Sequence, residues 1–139
     1  MNLKVYIDTN IYINAILNRD NKISQKVLTF LDYAGASLYL NDISVINIHY
    51  HIRKKLDRDS IKEELTKIRQ EHFLVSVDNN IIDEAFDSEF KDFEDGVQYF
   101  CAKRIGAELI ITDNKKDFKH SDIKVLSAKE FYEIYMKED

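Results

Sequence analysis

Three acidic residues stand where short apolar segments end. Asp8 closes Val5-Tyr6-Ile7, Asp113 follows Ile110-Ile111-Thr112, and Asp95 lies in Asp92-Phe93-Glu94-Asp95, at the head of a helical pattern with Phe93, Val97, Phe100, Cys101 and Ile105 on its apolar face. Carboxylates gathered at one place repel one another unless a cation neutralises them, and hard oxygen donors favour magnesium or manganese. The chemistry such a cluster suggests is metal-assisted hydrolysis. Each acid also has a plainer reading. Asp8, Thr9 or Asn10 can cap the helix that follows, Asp92 with Asp95 can form a capping pair at the positive end of a helix, and Asp113 with Asn114 can form a surface turn. Gly96 argues for more than a cap, because Gly inside a helix costs about 1 kcal/mol relative to Ala and implies a close approach to the backbone.

Bringing these acids together requires a sheet. Apolar runs at 3–7, 38–40, 73–77, 109–111 and 123–126 read as strands. Helical periodicity occupies 11–17, 24–33, 43–55, 60–70, 79–86, 93–105 and 128–136. Strands that alternate with helices predict a parallel sheet, and the carboxyl ends of parallel strands form the crevice where ligands bind. Asp59 or Ser60 with Glu63, and Ser127 with Glu130, carry helix-start signals. Gly35 and Gly106 fall where a left-handed residue would close a helix ahead of a strand.

The 139 residues suit one domain, 1–139, with no Pro, linker or repeat to divide it. A hydrophobic content of 45% with 32% charged residues excludes a disordered chain. No apolar run reaches the roughly 20 residues that span a bilayer, and the opening residues lack a signal-peptide pattern, so a cytoplasmic address is expected. The lone Cys101 has no partner for an internal disulfide and reads as a buried thiol. The net charge of −5 argues against binding nucleic acid by bulk electrostatics. The charge is uneven, however. Residues 51–70 carry seven Lys or Arg against four acids, and residues 78–95 carry eight acids against Lys91 alone. The basic stretch is a candidate contact for an anionic partner, or the solvated face of amphipathic helices.

Taken together, Ile7-Asp8-Thr9-Asn10, Phe93-Glu94-Asp95-Gly96-Val97-Gln98 and Ile111-Thr112-Asp113-Asn114-Lys115-Lys116-Asp117-Phe118 resemble the PIN-domain ribonucleases, especially the VapC-like toxins of type II toxin–antitoxin pairs. The resemblance implies a three-layer α/β/α fold around a parallel sheet of about five strands. It also implies a magnesium- or manganese-dependent endoribonuclease that leaves a 5′-phosphate and a 3′-hydroxyl. Asp8 and Asp95 match the family's metal ligands, and the late acid falls among Asp113, Asn114 and Asp117, with Asp113 nearest the strand tip. Glu94 is a possible addition. Asn47 stands where the family usually carries an acid; an amide oxygen can coordinate magnesium but brings no charge. His49 and His51 lie two residues apart on one helix and face different sides, which disfavours a paired metal site. The implied partners are an RNA substrate, a cognate antitoxin whose basic segment the acidic stretch would complement, and a homodimer; Ile13, Ile16, Phe30 and Tyr33 pack either on the core, the safer expectation for such stripes, or in that homodimer. The competing expectation, raised by Asn47 and the negative charge, is a PIN fold that binds RNA or protein without cutting.

Overall fold

The structure, a computed structural model, describes residues 2–137. Residues 1, 138 and 139, the ends of the expected 1–139 domain, lie outside that range. Five strands, β1 (Lys4–Ile7), β2 (Ser37–Asn41), β3 (Phe73–Val75), β4 (Leu109–Ile111) and β5 (Lys124–Leu126), form one sheet in the order β3-β2-β1-β4-β5, and every pair is parallel. The helices are α1 (Thr9–Leu17), α2 (Ile23–Tyr33), α3 (Asp42–Ile52), α4 (Arg58–Glu71), α5 (Asn79–Asp87), α6 (Phe93–Arg104) and α7 (Ala128–Phe131). A 3-10 turn, Lys115–Phe118, follows β4, and a π-helical turn, Tyr132–Met136, extends α7.

Alternation along the strands divides the core into two layers. Val5 and Ile7, Leu38 and Leu40, and Leu109 and Ile111 face the side covered by α1, α2, α3 and α7, where Ile11, Leu31, Ile48 and Phe131 pack against them. Tyr6 and Ile110 face the opposite side and meet Ile81 and Ala85 of α5 and Val97, Cys101 and Ala102 of α6. This is the three-layer α/β/α arrangement that the family resemblance implies, around the parallel sheet that the strand and helix order predicts. Cys101 is fully buried, as a small apolar side chain would be. Ile13, Ile16 and Phe30 pack on the core, Phe30 edge-on to Phe131, whereas Tyr33 is 93% exposed. Among the described residues no helix is long and apolar enough to cross a membrane.

Local chemistry explains the element ends. Ser127 and Glu130 form a reciprocal capping box: the Ser127 hydroxyl accepts from the Glu130 N–H at 3.0 Å, and the Glu130 carboxylate accepts from the Ser127 N–H at 2.9 Å. Gly35 and Gly106 adopt φ of 84° and 70°, a left-handed conformation open to Gly. Helix α4 departs from expectation by starting at Arg58. Its cap is Asp57, which accepts from the Ser60 N–H at 2.7 Å, rather than Asp59 or Ser60. β3 ends at Val75 because its only neighbour, β2, ends at the paired Asn41. Helix α3 stops at Ile52.

The close approach implied by Gly96 comes from α5 and the segment after it. A Cβ placed on Gly96 would stand 3.4 Å from the Cβ atoms of Ala85 and Phe90 and 3.6 Å from the Ser88 hydroxyl. An alanine methyl is therefore accommodated at the edge of ordinary contact, and anything larger is not. Gly96→Ala is expected to stay within about 1 kcal/mol of the parent, its helix gain offsetting the tight contact. Gly96→Val should lose about 1 to 3 kcal/mol through overpacking. Urea unfolding of the two variants measures the difference.

Candidate active site

The strand order reverses direction between β1 and β4, the point at which an open parallel sheet leaves a crevice. Ile7 and Ile111 are paired in register, so the residues that follow them, Asp8 and Thr112, emerge side by side, and the Asp8 N–H still donates to the Ile111 carbonyl at 3.0 Å. Asp8 sits at the N-cap position of α1, but its side chain makes no capping bond. One carboxylate oxygen accepts from the Thr112 hydroxyl at 2.5 Å, and the other accepts from the Gln98 amide at 2.6 Å. The Gln98 carbonyl oxygen accepts in turn from the Thr9 N–H at 3.3 Å, and the Thr9 hydroxyl donates to that of Ser44 at 2.9 Å. Asp8, Thr9, Ser44, Gln98 and Thr112 are all buried. Burial raises the Asp8 pKa; the bonds from Thr112 and Gln98 pull the other way without cancelling the rise.

Asp95 is carried to the same place by the first turn of α6, its N–H held by the Asp92 carboxylate at 3.1 Å. Asp92 is thus the cap, and the Asp95 side chain is free of that duty. Asp95 is 8% exposed, and its pKa is pushed up to about 7, first by burial and then by the charges of Asp8, Asp92, Asp117 and Glu94. Burial, Asp8 and Asp92 likewise raise Glu94, with His51 acting in the opposite direction. Four candidate acids, Asp8, Glu94, Asp95 and Asp117, therefore lie within electrostatic reach of one centre. The largest charges acting on Glu94 and Asp95 come from acids, with His51 the one opposing group among them.

Asp113 is engaged elsewhere. One of its oxygens accepts from the Asn14 side-chain amide at 2.9 Å and the other from the Ala128 N–H at 3.3 Å, so it ties β4 to the end of α1 and the start of α7. Asn114 donates its backbone N–H to the Thr112 hydroxyl at 3.0 Å and leads into the 3-10 turn that bears Asp117. Asn47 is half-buried on α3, and its carbonyl accepts from the His51 ring at 2.8 Å. Gln98 and Thr112 were not singled out by the sequence. The available signals were the three-residue step from Asp95 to Gln98 on one helical face, and the equivalence of Thr112 to Asp8 at adjacent strand tips.

Among the described residues, no three His, Cys, Asp or Glu side chains stand in ready-made metal-binding geometry. The donor set nevertheless fits a divalent cation by its chemistry. It is made of hard oxygens, it is partly buried, and its members raise one another's pKa for want of a neutralising charge.

A three-layer parallel α/β fold with buried carboxylates at the switch point defines the class. The chain belongs to the PIN domain family, whose model matches residues 4–116. It is 28% identical over 137 residues to Ribonuclease VapC1 of Aquifex aeolicus (strain VF5), covering 94% of both chains. Its fold matches VapBC2 from Rickettsia felis bound to a DNA fragment from their promoter, with a TM-score of 0.68 and 14% identity over 90% of this chain and 98% of that one. It also matches VapBC-1 from nontypeable Haemophilus influenzae, with a TM-score of 0.67 and 16% identity over 91% and 99%.

The raised Asp95 pKa has a signed consequence for the metal-free protein. Between roughly pH 4, where the unfolded chain releases this proton, and pH 7, the folded chain retains it, so stability falls as pH rises through that window. Asp95→Asn is expected to flatten this fall and to raise stability at pH 8 by about 1 to 3 kcal/mol. Urea unfolding from pH 4 to pH 8 in chelator tests it.

Proposed function

We propose that the protein is a metal-dependent endoribonuclease, the toxin of a toxin–antitoxin pair. The observation that carries this reading is the group of acids at the β1–β4 switch point, which raise one another's pKa. Membership of the PIN domain family and the likeness to a ribonuclease over nearly the whole chain support it. The structural likeness to VapBC proteins supports a cognate antitoxin.

In this reading Asp8 and Asp95 hold magnesium or manganese, with Glu94 close by and Asn47 as an uncharged neighbour. Of the late acids, Asp117 is the one whose charge acts on Asp95, and Asp113 is the one nearest the strand tip. When bound, such a cation supplies Lewis acidity, activating water as the nucleophile and neutralising charge on the phosphate. The chain's own residues prepare the place. Thr112 and Gln98 fix both oxygens of Asp8, and the Thr9 N–H fixes which way the Gln98 amide points. Asp95, whose carboxyl is pushed up to about 7 by burial and its acidic neighbours, would be favoured as a carboxylate by a bound cation. No side-chain nucleophile is needed.

The test is cleavage of mixed cellular RNA in magnesium or manganese, with chelator as control. Asp8→Asn and Asp95→Asn are each expected to lose about 100-fold or more, in line with removal of a group acting directly in the chemistry. Asp117→Asn and Asp113→Asn, compared side by side, identify the third acid. Undiminished cleavage by Asp8→Asn or Asp95→Asn overturns the assignment. Binding of RNA with no cleavage at millimolar metal would instead favour a non-catalytic PIN module.

A further inference from the structure

Helix α3 leads away from the acid group and ends in unpaired positive charge. Its Ser44 accepts from Thr9 beside Asp8, and Asn47 and His51 follow at three and seven residues on the same helical stripe. The His51 ring donates to the Asn47 carbonyl, which holds the imidazole along that stripe. Just beyond, the Tyr50 ring carries two cations. The Arg53 guanidinium stands 4.6 Å and the Lys54 ammonium 5.3 Å from its centroid, and the Arg53 Nε donates to the Tyr50 carbonyl at 3.3 Å. Tyr50 is half exposed, and both cations are exposed.

Among the described residues three cations pair with acids: Lys103 with Asp122, Arg104 with Asp78 and Lys115 with Glu130. No described carboxylate lies within ion-pair distance of Arg53 or Lys54. An aromatic ring holds a cation without neutralising it, so the charge stays available to an anion while the side chain loses freedom in advance. A chain of net −5 whose acids gather at one crevice repels a polyanion unless local cations draw it in.

We propose that Arg53 and Lys54, organised on Tyr50, form a phosphate subsite that grips the RNA strand where α3 ends, with His51 at its inner edge. The proposal rests on the ribonuclease reading for the identity of the strand, and its test is binding rather than turnover. Labelled single-stranded RNA is titrated into the Asp95→Asn protein at several salt concentrations, with and without Arg53→Ala/Lys54→Ala. The pair is expected to weaken binding about tenfold and to lower the slope of log affinity against log salt by about 1.4, the value for two phosphate contacts on a single strand. Lys62→Ala/Arg69→Ala, which removes equal charge from α4, should change little. Tyr50→Phe should retain affinity, whereas Tyr50→Ala should lose part of it.

Equal effects of the two double variants, or no RNA binding by the Asp95→Asn parent, overturn the subsite. A wild-type protein that cleaves RNA while Arg53→Ala/Lys54→Ala binds it undiminished overturns the subsite alone. A wild-type protein that never cleaves, yet binds RNA through Arg53 and Lys54, overturns the ribonuclease reading and leaves the subsite standing.

Discussion

Burying the Asp8 carboxylate is the constraint on which the rest of this structure is arranged. A carboxylate taken out of water without a cation is destabilising unless donors reach both of its oxygens. Here one donor comes from α6 and the other from the tip of β4, almost the full sheet and helix layer away in sequence. Satisfying Asp8 therefore fixes the β1–β4 register, since a slip of one residue would turn Thr112 to the other face. It also fixes the position of α6, whose Gln98 must reach across to β1. The same placement sets Asp95, one turn earlier on α6, against Asp8. Two hydrogen bonds thus tie the fold to the acid group.

Those bonds offset only part of the desolvation, because the Asp8 carboxyl still titrates above its ordinary range and Asp95 is raised further. The N-terminus of α6 works in the same direction as the donors, its partial positive charge lying close to Asp95. The helix dipole and neutral donors can hold a lone carboxylate in place. They do not cancel repulsion among four. The uneven charge along the chain acquires a spatial meaning here. The acidic stretch ends at the first turn of α6, and the basic stretch begins at the end of α3, with His51 of one acting on Glu94 of the other.

Much of this was legible in the sequence because it is local. The strand at 109–111 and the Ser127–Glu130 box depend on neighbours within a few residues. The α4 cap was misplaced because Asp57, Asp59 and Ser60 are all good capping residues, and only the backbone conformation, extended at Asp57, selects among them. The partners of Asp8 were hidden for another reason. Gln98 and Thr112 are unremarkable polar residues until strand order and register bring them to β1. The engagement of Asp113 by Asn14 and α7 is likewise a long-range fact, and proximity to a strand tip says nothing about which way a carboxylate turns.

Asn47 raises the question of how such a site would keep its charge. An amide on α3 supplies an oxygen but no negative charge, so a cation facing Asp8, Asp95 and Asn47 alone would be held by two charges. In this chain Glu94 lies within electrostatic reach of Asp8, and Asp117 acts on Asp95 from the 3-10 turn after β4. The negative charge that α3 omits is present on α6 and on that turn. The exchange has a physical benefit for α3. With no acid at position 47, His51 in the last turn of α3 and Arg53 and Lys54 just beyond it follow a helix whose acidic residue, Asp42, lies at its opposite end, where it accepts from the N–H groups of Ile43 and Val77. Replacing Asn47 by an acid would add a negative charge one turn from His51 and begin to neutralise the basic end of the helix. An α3 with no acid at position 47 leaves the positive charge at its end unopposed by its own side chains.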